Sequence, residues 1–550
     1  MDLTPIIASA RERVREIKER EGMHGVAVAL VRGDEVVWIE GFGELDQAGS
    51  RPVDEHTIFS IQSTSKTFTA AAVMIAVQRG LLDLGAPITT YLPEFTVKSR
   101  FERQPERLMT LRHLLSHRAG FTHEAPLGGN FDPELETRAP NFEAHVASIA
   151  ETWLRYPVGQ RYAYSNLGID LAGAALGRVM GVPFAEALRE LIFEPLGMAD
   201  SSADASVYGA NQNRAIGHQP GSPAVPVRIP IEASGGVYSS AADMTRFARF
   251  LAHRGEFEGR ALLEPTLWEE MHTPPFPGVP YALGILRLPQ RLERGRPVLM
   301  NHNGGGYGFG CCFTYCPERE LGWIAHYNGA LTPTQPAPFD AIGLQAVLEA
   351  EFGPRARRPA PEAPVIVPSR EALAPFCGSY VAGQAVVTAG WEGEAFAIRT
   401  PLDRAPSVLA FTAPLEAYVS EGPYAGQAVR LHPPTDLQPA RLEVVYDEGA
   451  PVTAFMAGGG VDFNEGEEPG PPGPIADAYD ALLGDYRIIQ WGVPFMTLAL
   501  SKRNGHLYLA HMRLREHAPG LFFSPDGEAL DLNSKPPNFR NIPLHRVVPG

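Results

Sequence analysis

Hydrophobic positions change their spacing several times along the chain, and each change marks an element. Residues 1–22 carry apolar side chains at helical intervals among charged ones, which predicts an amphipathic helix. From Gly25 to Gly43 the period drops to two. VAVALV, a turn at Arg32-Gly33-Asp34, then EVVWIEGFG read as a β-hairpin. An Ala-rich helical run follows from Thr64 to Gln78 and ends near Gly80. Further helical stretches cover Met109–His117, Glu143–Leu154, Leu167–Met180, Pro183–Leu191, Ala241–Arg254 and Glu264–His272. Strand-like stretches return at Tyr281–Leu288, Gly308–Tyr315 and Gly322–Tyr327, and a helix near Asp340–Glu351 closes the unit. Strands at both ends with helices between them predict an α+β or α/β domain whose first and last segments meet in one sheet.

The texture then changes. Residues 354–368 (PRARRPAPEAPVIVP) are Pro-rich and read as a linker. Beyond them come short strand-like runs broken by Gly and Pro turns, an all-β pattern. A faint repeat runs through it: Phe376-Cys377-Gly378-Ser379-Tyr380 and Leu482-Leu483-Gly484-Asp485-Tyr486 share apolar-x-Gly-x-Tyr. Residues 464–474 (NEGEEPGPPGP) lie between them as an acidic Pro/Gly loop or linker. Two small β-barrels or sandwiches fit this better than one larger barrel. The expected boundaries are 1–353, a linker at 354–368, then 369–473 and 474–550.

Composition narrows the partners. Of 550 residues, 44% are apolar and 20% charged, values of a globular chain rather than a disordered one. The net charge of −16 argues against nucleic acid and anionic membrane, since both need a basic patch. No basic segment followed by an apolar core opens the chain, and no apolar run is long enough for a spanning helix, so a cytoplasmic location is expected. Three of the four cysteines, Cys311, Cys312 and Cys316, crowd together, away from Cys377. That is no disulfide framework, and buried thiols on a strand are expected. No metal or cofactor is expected. A homodimer is allowed for, although no residue points to it.

Lysine is rare. Of 47 basic residues only five are lysines, at 18, 66, 98, 502 and 535. Arginine stays protonated in a protein, whereas lysine can give up its proton. Lys66 ends Ser63-Thr64-Ser65-Lys66, the single Ser-x-x-Lys of the chain, at the predicted start of a helix. There the helix terminus offers N–H groups and partial positive charge, and a lysine at i+3 shares a face with the serine. A helix cap with a solvated lysine would explain the same residues.

Two further motifs weigh against that plain reading. Tyr164-Ser165-Asn166 is the single Tyr-x-Asn of the chain and lies just before a helix. A tyrosine beside a lysine can carry a proton to or from a serine oxygen. Asn offers both a donor and an acceptor to a substrate amide. Asn301-His302-Asn303-Gly304-Gly305-Gly306 precedes the apolar run GFGCCFTY, and glycines beside a strand allow a ligand close to the backbone. His113 and His117 stand at i, i+4, but no Glu follows His113 as the zinc motif His-Glu-x-x-His requires.

In this order the motifs resemble the β-lactamase and penicillin-binding-protein group. The Tyr-x-Asn places the resemblance with the class C β-lactamase-like serine hydrolases, over roughly residues 5–352. LRHLLSHRAG at 111–120, FEPLGM at 193–198 and SGGVYS at 234–239 support it. The resemblance implies an α/β fold, an antiparallel sheet flanked by helices with an all-helical lobe. Ser63 would be the acylated nucleophile, with Lys66 and Tyr164 sharing the base role and Asn166 orienting substrate. The N–H groups of Ser63 and Gly305, or Gly304 in the neighbouring register, would form the oxyanion hole. His113 and His117 would be structural.

One departure bears on substrate. His302-x-Gly304 stands where many members have Lys-Thr-Gly, and a mostly neutral His holds a substrate carboxylate less well. That lowers the odds of β-lactamase or carboxypeptidase activity. His-x-Gly with two C-terminal β-barrel (lipocalin-like) domains looks most like D-aminopeptidases of the family. A small-molecule or short-peptide substrate is implied, with a carboxylesterase on short acyl esters as the alternative; a catalytically idle ligand-binding protein is a third reading, against which the intact Ser63, Lys66 and Tyr164 count. A loop at 458–468 is expected to reach the site, with Asp462 or a neighbouring Glu attracting a substrate amine; a solvated linker is the alternative.

Overall fold

The computed structural model describes all residues except 129–139, 219–228, 278, 330–338, 340, 341, 355, 357–364, 383, 384, 400–404, 423, 424, 434–439, 446–450, 457–476, 491, 492, 504, 511, 525 and 548–550. The N-terminal helix α1 (Thr4–Arg20) leads into the hairpin β1 (Gly25–Arg32) and β2 (Glu35–Gly43). Helices α2 (Ser65–Gln78), α3 (Asn166–Met180) and α4 (Ala241–Ala252) follow, joined by shorter turns and helices. The chain then returns as β3 (Leu286–Pro289), β4 (Val298–Asn301), β5 (Gly304–Gly306), β6 (Phe309–Cys316) and β7 (Leu321–Asn328), and α5 (Gly343–Phe352) closes the unit.

The sheet order is β2-β1-β7-β6-β4-β3, antiparallel, with β5 also pairing β6. First and last segments therefore meet at the β1–β7 pair, as the sequence predicts. Alternation along β1 explains its unbroken apolar run. Ala27, Ala29 and Val31 face one core cluster with α2, α3 and α4, while Val26, Val28 and Leu30 face the other with α1 and α5. Both faces are covered, so no polar face is needed. Helix α2 is buried on nearly every side, which accounts for its lack of amphipathic pattern. Cys311, Cys312 and Cys316 are buried on β6, and burial pushes the Cys311 thiol up to about 12.

The C-terminal part forms two further antiparallel sheets. Eight strands between Gly378 and Met456 close into a barrel. Nine strands between Gly484 and Arg546 curl into a second sheet, without closing among the described residues. Each has its own apolar cluster. The faint repeat opens both. Tyr380 Oη donates to the Phe376 carbonyl at 2.8 Å, and Tyr486 Oη to the Leu482 carbonyl at 2.6 Å. The glycine between has positive φ in both, +151° at Gly378 and +139° at Gly484. Among the described residues no single helix is long and apolar enough to cross a membrane.

Candidate active site

Ser63 stands in a tight turn, Gln62–Thr64, that runs directly into α2. The turn is held from three sides. Ser65 Oγ donates to the Gln62 carbonyl at 2.6 Å and accepts from the Val237 N–H at 3.0 Å, and Thr64 Oγ1 donates to the His302 carbonyl at 3.1 Å. Gln62 itself adopts φ +51°, a left-handed conformation that costs a non-glycine residue about 1–2 kcal/mol. Such strain persists only where the surroundings impose it, and here it sits immediately before the serine.

Lys66, one turn on, is fully buried. Its Nζ donates to Ser63 Oγ at 3.1 Å, Asn166 Oδ1 at 2.7 Å and the Ser234 carbonyl at 2.8 Å. A lysine holds three protons, and three oxygens take them. The ring of Tyr164 lies 5.0 Å from Nζ and rests on His117 (centroids 4.4 Å apart) and His123 (5.7 Å). Ser165 caps α3 by accepting from the Leu167 N–H, and its Oγ donates to the Thr122 carbonyl at 2.6 Å. Asn166 opens α3 with its amide spread between two partners: Oδ1 on Lys66 and Nδ2 donating to Glu124 Oε1 at 2.5 Å. Tyr-x-Asn is thus a helix cap and a site motif at once, since capping fixes the residues on either side of Ser165.

His302 occupies a two-residue break between β4 and β5. Burial, with help from the Lys66 charge, pushes its pKa down to about 3. A neutral ring has one N–H. With Nδ1 2.9 Å from the Asn303 carbonyl, that proton is assigned to Nδ1, leaving Nε2 to accept from Tyr281 Oη at 2.8 Å. Both ring nitrogens are occupied by the protein. Gly304 is where glycine is required: a Cβ there would meet the Ile61 carbonyl oxygen at 2.0 Å. That approach presses β5 against the turn carrying Ser63. Gly305 is exposed between buried Gly304 and Gly306.

The structure therefore brings Ser63, Lys66, Tyr164 and Asn166 together and sets His302 and Gly304 against the same turn. Asp462, with the 458–468 loop, lies outside the described residues. His113 closes a capping box with Thr110, and His117 Nδ1 accepts from the Ser165 N–H at 3.2 Å.

The sequence reading missed the ring of residues behind these. Asp170 is buried and accepts from the Ser234 N–H and O–H, both at 2.9 Å, so it fixes the residue whose carbonyl holds Lys66. His145 Nε2 meets the same carboxylate at 3.0 Å. The one available signal was position: Asp170 follows Asn166 by one helical turn.

Residues 10–347 match the β-lactamase family. Esterase EstB of Burkholderia gladioli is 32% identical over 191 residues, 34% of this chain and 48% of that protein, so the match spans about half of the esterase. The D-alanyl-D-alanine-carboxypeptidase/endopeptidase AmpH of Escherichia coli K12 is 25% identical over 309 residues, 55% of this chain and 78% of that one. Among solved structures, SurE with D-Leu aligns with a TM-score of 0.55 at 22% identity, covering 82% of this chain and 99% of that one. The octameric penicillin-binding protein homologue from Pyrococcus abyssi aligns at 0.52 and 20%, covering 82% and 100%. At such identities the two structures speak for the fold alone.

Proposed function

The chain belongs to the β-lactamase family of serine hydrolases, and we propose that it cleaves a small amide or peptide through an acyl-enzyme on Ser63, releasing an N-terminal D-residue or hydrolysing a D-amino acid amide. The observation that carries the site assignment is the buried Lys66 Nζ shared among Ser63 Oγ, Asn166 Oδ1 and the Ser234 carbonyl. In this reading Lys66 first releases one of its three protons, and the free amine takes the Ser63 proton, with Tyr164 relaying it, as Oγ attacks the substrate carbonyl. The developing oxyanion is met by the N–H groups of Ser63 and Gly305, each donor contributing roughly 3–4 kcal/mol in comparable sites. The proton then goes to the leaving amine. Water repeats the sequence in reverse to free Ser63.

His302 supports an amine-bearing or neutral substrate over one anchored by a carboxylate. It is uncharged at working pH, and both ring nitrogens are bound by Asn303 and Tyr281, so it presents no cation. This disfavours β-lactam and D-Ala-D-Ala substrates, despite the likeness to a carboxypeptidase. A second reading, hydrolysis of short acyl esters by the same residues, is favoured by the 32% identity to an esterase. An ester leaving group needs less protonation, so the machinery suffices for both.

One assay set separates them: D- and L-alanine p-nitroanilide, p-nitrophenyl acetate and butyrate, and nitrocefin, each with wild type and Ser63→Ala. Turnover of the D-anilide supports the peptidase or amidase, and turnover of esters alone supports the esterase. Turnover that survives in Ser63→Ala would refute both.

A further inference from the structure

The segment Phe121–Ala125 touches the site from behind, and two of its hydrogen bonds come from the far end of the chain. On its inner side the Thr122 carbonyl accepts from Ser165 Oγ, and Glu124 Oε1 accepts from Asn166 Nδ2. On its outer side Thr122 Oγ1 donates to Glu528 Oε2 at 2.6 Å, and the Glu124 carbonyl accepts from Asn541 Nδ2 at 2.9 Å. The sequence separations are 406 and 417 residues.

The docking behind these contacts is charged and largely buried. Arg155 of the catalytic domain is 5% exposed and meets Asp526 Oδ2 and Glu528 Oε1, both at 3.1 Å. Arg540 Nη2 reaches the same Glu528 oxygen at 3.2 Å. Asp526 and Glu528 are themselves buried. Two arginines and two carboxylates balance, the condition under which charges tolerate burial. Gly527 is pressed onto Arg155: its φ is +84°, and a Cβ there would lie 2.6 Å from the Arg155 carbonyl oxygen. Trp153 packs edge-on against His517 and Phe523 beside it.

We propose that the C-terminal sheet completes the active site, with Glu528 and Asn541 as positioning residues that hold Phe121–Ala125, and through it Ser165 and Asn166, in place against Lys66. The path is continuous: Glu528 to Thr122 to Ser165, and Asn541 to Glu124 to Asn166 to Lys66 Nζ. Asn541 has φ +62°, a conformation Asn tolerates better than most residues, so its backbone is set to aim the amide. The inference rests on the Ser63 acyl-enzyme reading for its catalytic consequence, but not for its structural one.

The test uses the full-length chain. Thr122→Val removes the hydroxyl at nearly constant shape, Thr122→Ser keeps it, and Asn541→Gly removes the amide while permitting the left-handed backbone. Gly527→Ala wedges the two surfaces apart. With whichever chromogenic substrate the wild type turns over in a Ser63-dependent way, Thr122→Val, Asn541→Gly and Gly527→Ala should lower kcat about ten- to a hundredfold, the scale of a small misplacement, with KM little changed. Thr122→Ser should stay within about threefold of wild type, which a merely structural threonine would not require. Loss of kcat in the serine variant equal to that in the valine variant, or kcat near wild type in all four, overturns the proposal while leaving the serine hydrolase intact. Hydrogen exchange decides it without turnover: peptides covering 117–125 and 164–167 should exchange faster in Gly527→Ala than in wild type. Unchanged exchange there overturns the proposal whatever the enzyme's substrate.

Discussion

Replacing Asp170 by Asn isolates the buried charge behind the lysine. In the native chain this carboxylate holds Ser234 through its N–H and O–H and faces His145, and both His145 and Asp170 are fully buried. Burial alone lowers the His145 pKa, but the hydrogen bond and charge of Asp170 outweigh it and raise the pKa above its ordinary 6.5. A histidine whose pKa rises on folding stabilises the fold fully below its unfolded value. That contribution is lost as pH climbs through the raised one. Asn keeps the shape, removes the charge and turns one acceptor into a donor. Below about pH 6.5 the loss is that of a broken buried pair, about 3–5 kcal/mol. Above the raised pKa His145 is neutral, and the loss shrinks to weakened bonding at Ser234, about 1.5–3 kcal/mol. Urea unfolding followed by tryptophan fluorescence at pH 6 and pH 9 measures both. The variant should lose more stability at pH 6 than at pH 9. Equal losses at the two pH values, or a loss under about 1 kcal/mol at either, would refute the reasoning. Activity should fall as well, because the Ser234 carbonyl would no longer be fixed under Lys66.

Other outcomes follow from the same geometry. Lys66→Arg keeps the charge but cannot surrender a proton, so burst-phase acylation of Ser63 should drop by about 10²–10⁴-fold. His302 is neutral down to about 3, so His302→Gln should leave the limbs of the pH profile of kcat/KM between pH 5 and 8 where they are; a moved limb would assign that titration to His302. Gly304→Ala drives a methyl group into the Ile61 carbonyl and should displace the turn carrying Ser63, lowering kcat by a hundredfold or so, read by the labelling rate of Ser63 with a fluorophosphonate probe.

The parts of the site legible in the sequence were those encoded over short distances. Ser63 and Lys66 are one helical turn apart, so their meeting follows from α-helix geometry alone. Tyr164 and Asn166 flank a cap, which fixes them before any tertiary contact. The VAVALV strand and the Ala-rich helix are legible for a related reason: an unbroken apolar run has to be covered on both sides. Asp170 and His145 were not legible, and Ser234 was visible only as the first residue of SGGVYS, because these ordinary residue types meet only when α3 packs against Ala233–Gly235 and the Phe142–Ser148 helix. Glu528 and Asn541 lie further still from the residues they hold, and nothing local marks a surface carboxylate from one that will be buried under another sheet. The tyrosine repeat at Tyr380 and Tyr486 lies between these cases. Its spacing was visible, while its role as a hydroxyl-to-carbonyl latch needed the fold.

The central claim is that Ser63 becomes acylated, with Lys66 as its partner. Intact-mass spectrometry of quenched turnover mixtures with p-nitrophenyl butyrate and D-alanine p-nitroanilide, followed by peptide mapping, tests it most directly. The account predicts one acyl group on the peptide containing Ser63 in wild type, none in Ser63→Ala, and at most a trace in Lys66→Arg at the same quench time. An adduct on another residue, or turnover undiminished in Ser63→Ala, would contradict it.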